Sequence, residues 1–248
     1  MRIAVLSDIH GNVWALDAVL EELAVARVDR VLNLGDCFWG PLDPYGTWER
    51  LSALPWLTVR GNQDRLLLEG GGSDTDRFTL SELGEAGVAW VAERTRSTVQ
   101  LDTLLACHGN LDHDDVTLLE QVEPTHVRHA TAAELAAALG GAGDGTEIVL
   151  CGHSHQPGML ALPDGRIALN PGSVGLPAYD DDRPYPHVME AGTPHARWAV
   201  LERMDAGWRI EHRATPYDTA AAAGVARAHG RDDWAAWIAT GRASPVPL

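Results

Sequence analysis

Five short clusters join carboxylate, imidazole and amide side chains to glycine: Asp8-Ile9-His10-Gly11-Asn12, Gly35-Asp36, Gly61-Asn62-Gln63-Asp64, His108-Gly109 and Gly152-His153-Ser154-His155. Such groups suit a divalent metal of the Mn, Fe, Zn, Co or Ni kind. The three cysteines, Cys37, Cys107 and Cys151, form no cluster, which argues against a structural zinc site built on thiolates. In His153-x-His155 the imidazoles are two residues apart, and on an extended segment such neighbours point the same way and can serve adjacent ions. One cluster alone reads as a turn or a satisfied core pair. Five in series, in the same local setting, read as one site.

That setting comes from the elements around them. Ile3–Leu6, Val31–Leu34, Leu57–Val59, Leu104–Cys107 and Ile148–Cys151 are short apolar runs ended at once by Gly, Asp, Asn or His, the pattern of fully buried strands. Each cluster falls at the carboxyl end of one of them, the edge where loops of open α/β sheets converge on ligands. Between the first two runs, Val13–Ala26 carries Leu16, Val19, Leu20 and Leu23 at helical spacing, so strand, helix and strand form a right-handed parallel crossover. Further helices are expected at Thr47–Leu54, Asp64–Leu68, Leu80–Glu93 and Thr131–Leu139, the last opened by the capping box Thr131-x-x-Glu134. Met159–Leu162 with Arg166–Leu169, and Trp198–Glu202 with Trp208–His212, read as hairpins around Pro163-Asp164-Gly165 and Asp205-Ala206-Gly207. The Ala-rich stretch Thr215–Thr240 reads as helical. The expectation is one domain over residues 1–248, with about 214–248 a helical C-terminal appendage.

Composition narrows the function. The net charge of −16 disfavours duplex nucleic acid, whose binding relies on basic residues neutralising phosphates. All 19 basic residues are arginine, so a phosphate-loop lysine and a lysine Schiff base are both excluded. No apolar run reaches the ~20 residues of a membrane span, and Met1-Arg2 leads into a core strand rather than a signal peptide. Three cysteines within or beside apolar runs suit reduced thiols in a cytoplasm.

The five clusters resemble the calcineurin-like metallophosphoesterase superfamily, whose pattern is D-x-H, G-D, G-N-H-[DE], H-G and G-H-x-H. With Asn170-Pro171-Gly172-Ser173-Val174-Gly175 they look like its small bacterial and archaeal phosphodiesterase branch. The resemblance implies an α/β fold, a four-layer αββα sandwich of two mixed sheets flanked by helices. It implies two divalent ions, Mn first, with Fe, Zn, Ni, Co or Mg as alternatives. Asp8, His10 and His155 would bind one ion, Asn62, His108 and His153 the other, and Asp36 would bridge. Asp64 would orient its neighbours by hydrogen bonds. Such a pair of ions lowers the pKa of a shared water and clamps phosphoryl oxygens. The expected reaction is hydrolysis of a small phosphorylated compound, leaning to phosphodiesters and driven by metal-activated hydroxide.

One position departs from the pattern. The family's G-N-H-[DE] is here Gly61-Asn62-Gln63-Asp64, and a glutamine cannot protonate a leaving oxygen. General acid catalysis is typically worth ~10²–10⁴-fold, so the loss matters most for poor leaving groups. Members of the branch also tend to lack that histidine. His113, His126 and His129 are candidates to replace it, although each reads first as a loop histidine. Arg60 and Arg65 flank the Asn62 loop and suit either a second phosphate or local acids. Trp39 suits a stacked base or core packing, and Asp180-Asp181-Asp182 reads as a solvated loop. Two alternatives stand beside the phosphodiesterase: a pyrophosphohydrolase of dinucleoside polyphosphate type, marked by a base-sized pocket at Trp39, and a non-catalytic scaffold, from which ligands would be missing.

Overall fold

Side chains alternate across the first strand, and that alternation sets the layering. Ile3 and Val5 point into a core between two sheets, while Ala4 and Leu6 point the other way, into a core shared with helices. The computed structural model describes residues 1–143 and 145–243. In chain order its elements are β1 (Arg2–Leu6), α1 (Val13–Ala26), β2 (Arg30–Asn33), α2 (Pro44–Ser52), β3 (Leu57–Val59), α3 (Asn62–Leu68), α4 (Asp74–Arg94), β4 (Thr95–Arg96), β5 (Val99–Leu101), β6 (Leu104–Ala106), β7 (Glu120–Val122) and β8 (Val127–His129). They continue with α5 (Ala132–Ala138), β9 (Ile148–Leu150), β10 (Gly158–Ala161), β11 (Ile167–Asn170), β12 (Ala178–Asp181), β13 (His187–Glu190), β14 (Ala196–Met204), β15 (Gly207–Thr215), α6 (Thr219–Ala228) and α7 (Asp232–Thr240).

The first sheet has the order β15-β14-β1-β2-β3-β4, and the second β10-β11-β9-β6-β5. Both are mixed. β1 to β4 run parallel while β14 and β15 are antiparallel additions, and β6, β9 and β11 run parallel between antiparallel edges. Leu104, Ala106, Ile148, Leu150 and Leu169 of the second sheet meet Ile3, Val5, Leu32 and Leu34 of the first in one buried core. The outer face of the first sheet is covered by α1, α2 and α4, and that of the second by Leu135 and Leu139 of the α5 segment. This is the four-layer αββα sandwich. Two small ribbons, β7–β8 and β12–β13, stand outside it.

Local chemistry explains the helix ends. Asn12 caps α1 by accepting from the Ala15 amide at 3.1 Å, and Arg27 closes it in the left-handed conformation. Thr131 and Glu134 form the expected capping box at α5. Helix α4 starts six residues before the expected Leu80, because Ser73 and Asp76 form another capping box after the glycine run 70–72.

Two expectations are corrected. Asp180 and Asp181 belong to strand β12, since their backbone pairs with His187 and Val188 in an exposed ribbon that needs no apolar pattern. The C-terminal segment is not an appendage. It breaks at Gly230 (φ 74°) into α6 and α7, and its Trp234 and Ile238 are fully buried against Leu42 and Leu176. Burying a large side chain of this kind stabilises by roughly 1.5–3 kcal/mol, enough to dock two short helices.

Candidate metal centre

All five clusters follow the carboxyl ends of parallel strands: Asp8 follows β1, Asp36 β2, Asn62 β3, His108 β6 and His153 β9. The strand ends bring the side chains of Asp8, His10, Asp36, Asn62, His108 and His155 into one buried group, with His153 half-buried beside them. The loops carry a strain the sequence does not show. Asp8, His10, Asp36, His153 and His155 all have positive φ, between 52° and 65°. Such left-handed non-glycine residues cost energy, and surrounding structure must hold them there.

That structure is a set of backbone clamps. Asp64 accepts from the backbone amides of Asp36 (2.9 Å), Cys37 (3.1 Å) and Gly61 (3.0 Å), tying the loops after β2 and β3 together. A Cβ on Gly61 would strike the Asp36 carboxylate, so only glycine permits this approach. Behind Asp8, the segment Asn170–Gly175 acts as a brace. Ser173 Oγ donates to the Asp8 carbonyl at 2.7 Å, and the Gly175 amide donates to the same carbonyl at 3.0 Å. Gly175 lies so close to the Ile9 carbonyl that a side chain there has no room.

The imidazoles are aimed by carbonyls. Nδ1 of His10 donates to the Trp39 carbonyl (2.8 Å), that of His108 to Leu34 (2.7 Å) and that of His155 to Leu176 (2.7 Å). With the Nδ1 proton committed, each ring in its neutral form presents the lone pair of Nε2, the arrangement usual for metal ligands, and on His108 a bound cation would take the place of the Nε2 proton. His10 Nε2 and His155 Nε2 then face each other at 3.2 Å, and with both rings neutral these are two opposed lone pairs. Two nitrogens ~2.0–2.1 Å from one tetrahedral ion would stand at about that separation. Asp8 Oδ1 lies 3.4 Å from His155 Nε2, is fully buried and has no hydrogen-bond partner. A buried, unsatisfied carboxylate oxygen is costly and calls for a cation.

Two ligand triads occur among the described residues: Asp8, His10 and His155, and Asp8, Asp36 and His108. Asp8 is common to both, whereas the resemblance gives the shared role to Asp36. Asp36 also faces both sides, with Oδ2 3.4 Å from His108 Nε2 and 3.9 Å from His10 Nε2. Its Oδ1 is held by the Gln63 amide at 2.9 Å. Asn62 Oδ1 lies 3.0 Å from His108 Nε2, and the His153 ring packs edge-on against His108 at 5.4 Å. The donor set therefore fits two cations.

Electrostatics agree. Burial alone would raise Asp8, but the imidazoles of His155, His108 and His10 around it hold its carboxyl well below the usual range. Burial likewise opposes ionisation of Asp36, and His108 overcomes it. Burial would lower His108, yet Asp36 and Asp8 push it up to about 10, so its proton meets part of the carboxylates' demand for positive charge. Burial, helped by neighbouring imidazoles, pushes His10 and His153 down to about 4. Asp64 is raised to about 7 by burial and by Asp36.

The other candidates fall elsewhere. Arg65 is held bidentately by Asp114 at 2.7 and 3.0 Å, and Arg60 donates to Thr95. His113 lines a second cleft of about 460 Å³ together with these arginines and with His108. His126 contacts Thr125 at an exposed edge, and His129 ends β8 in solvent. Trp39 borders a cavity of about 220 Å³ whose floor is His10, Asp36, Asn62, Gln63, His153 and His155. Sequence reasoning missed the opposite wall, which comes from α7 and the β12 ribbon: Tyr179, Arg231, Trp234 and Trp237. Trp234 and Trp237 in the Ala-rich stretch hinted at burial, not at which face receives them.

Residues 1–191 match the calcineurin-like phosphoesterase superfamily domain. The chain belongs to that superfamily. Calcineurin-like enzymes are metal-dependent phosphoester hydrolases, and this chain is one by membership. A Methanocaldococcus jannaschii protein designated MJ0912 is 30% identical over 204 residues, covering 71% of this chain and 76% of its own. A metallophosphoesterase from Sphaerobacter thermophilus has the same fold, with a TM-score of 0.75 at 23% identity over 98% of this chain and 100% of the other. Protein PH1004 from Pyrococcus horikoshii gives a TM-score of 0.73 at 15% identity over 98% and 99%. Among the described residues no helix is long and apolar enough to cross a membrane.

Proposed function

We propose that this calcineurin-like hydrolase is a dinuclear phosphodiesterase acting on a small phosphorylated compound. Asp8, His10 and His155 hold one ion, Asn62, His108 and His153 hold the other, and Asp36 stands between them. The observation that carries the reading is the opposed pair of Nε2 atoms on His10 and His155 beside the unsatisfied Asp8 Oδ1. Manganese is the first candidate, as oxygen and imidazole donors accept it without thiolate. The three buried, unpaired cysteines suit a reducing compartment such as the cytoplasm.

When bound, the ions would supply Lewis-acid activation of the phosphoryl group and of water. The chain's own part is positional. Asp64 fixes the Asp36 loop, the carbonyls of Trp39, Leu34 and Leu176 fix three imidazoles, and the Asn170–Gly175 brace fixes Asp8. Gln63 lines the cavity floor where the family pattern has histidine. Its amide can hydrogen-bond an ester oxygen but delivers no proton, so leaving groups that depart as stable anions are favoured. The test is a screen of the protein reconstituted with Mn, Zn, Fe, Co, Ni or Mg, using mono- and diesters with a matched leaving group. Diesters should turn over faster than monoesters. Turnover of neither with any metal would overturn the proposal.

A further inference from the structure

The wall facing the metal centre is built largely from aromatic rings. Trp39 approaches His10 edge-on at 6.0 Å and Trp234 at 5.7 Å, and Trp234 in turn approaches Trp237 at 6.3 Å. Tyr179 stands edge-on to His155 at 4.7 Å across the same cavity. Trp234 is 1% exposed and serves as backing, while Trp39 and Tyr179 are half-buried and border the open volume with Trp237. Helix α7, which carries two of these rings, lies beyond residue 191, outside the matched superfamily domain.

The polar handles of Trp39, Tyr179 and Arg231 are already in use. Trp39 Nε1 donates to Asp76 at 2.7 Å, and Tyr179 Oη to the His153 carbonyl at 3.2 Å. Arg231 is held by Asp233 at 2.6 Å, donates to Thr75 at 3.0 Å and lies over Trp234 at 5.5 Å. What Trp39 and Tyr179 have left to offer a ligand is ring surface. Asp180 and Asp181 at the rim add negative charge and repel a second phosphate. The volume of about 220 Å³ lies below the ~300 Å³ at which sites for larger organic ligands begin.

We infer that one ester arm of the substrate is a compact, uncharged aromatic group resting against Trp39, Tyr179 and Trp237, and that α7 thereby selects the substrate. The inference rests on the phosphodiesterase reading above. It separates a single aryl ring from two other arms the site could be asked to take, a nucleoside and a polyphosphate. The ring is favoured by size over the first and by charge over the second.

The test is competitive inhibition of the reconstituted enzyme, with a para-nitrophenyl diester as common substrate and phosphonates as probes. These are methylphosphonate, phenylphosphonate, a nucleoside phosphonate and an alkylphosphonate ending in a phosphate. Burying one ring should make phenylphosphonate about 10- to 100-fold tighter than methylphosphonate, and tighter than the other two probes. In Trp39→Leu and Trp237→Leu the phenyl-to-methyl ratio should collapse towards unity. A ratio within one variant cancels general damage, and Trp39→Leu decides alone if the α7 variant fails to fold. Equal inhibition by phenyl and methyl probes, a preferred nucleoside or phosphate-ended arm, or an unchanged ratio in the foldable variants would overturn the inference. Absence of turnover of the common substrate with every metal would instead defeat the underlying phosphodiesterase reading.

Discussion

Replacing Asp64 by Asn tests whether the metal loops are held by the backbone clamp. Asp64 is fully buried and accepts three backbone amides at 2.9–3.1 Å, two on Oδ2 and one on Oδ1. Asn is isosteric but offers one acceptor oxygen. If that oxygen keeps Asp36 and Gly61, the Cys37 amide faces an NH₂ group and is left unsatisfied, at about 1–3 kcal/mol. The two surviving bonds lose charge assistance, about 1 kcal/mol each. Removing a buried charge offsets part of this, leaving a net loss of roughly 2 kcal/mol. At this chain length that corresponds to a drop of about 4–8 °C in Tm. Because Asp36 (φ 52°) is then free to relax, metal affinity should fall about 10- to 100-fold, as for other residues that support ligands. Calorimetric metal titration and thermal denaturation of Asp64→Asn beside the native protein read both effects. Native metal affinity in a variant with lowered Tm would refute the clamp, since stability would then be lost without disturbing the site.

Two further outcomes follow from the same geometry. Gln63→His should raise kcat on alkyl monoesters more than on aryl diesters, because only the former need a proton on departure; equal gains would remove leaving-group protonation as the reason. The metal-free protein should hold its highest stability across a plateau from about pH 4.5 to about pH 6.5. Across that range His10 and His153, pushed down to about 4, leave the unfolded chain binding two more protons than the folded one, and Asp64 and Glu120, both raised to about 7 by burial, offset them with two protons held in the folded chain, so stability falls on the acid side only below about pH 4.5. Above the plateau, the stability from His108, raised to about 10, is lost progressively as pH rises towards that value. Thermal melts in chelator across pH 3–10 check this, and a maximum above about pH 7 or below about pH 4 would contradict it.

The framework was legible where burial imposes a pattern. Strands β1, β2, β3, β6 and β9 are short apolar runs because both faces are covered, and α1 was readable to the residue because its apolar stripe is regular. Ribbons β7–β8 and β12–β13 were not, since Glu120-Gln121-Val122 and Ala178–Asp181 pair outside the main core and show no alternation. The placing of α7 was also hidden. Ala-rich helices do not announce which partner they bury against, and the receiving surface is assembled from loops near 39 and 176, far apart in the sequence. The strained backbone at Asp8, His10, Asp36, His153 and His155 has no signature in residue type except the glycines that crowd beside it.

The central claim is that the loop tips after β1, β2, β3, β6 and β9 enclose two cations. Anomalous diffraction from crystals of the protein soaked in manganese tests it most directly. The account predicts two peaks, one bounded by Asp8, His10 and His155, the other by Asn62, His108 and His153, with Asp36 touching both. A single peak, or none at this site with the loops unchanged, would contradict it.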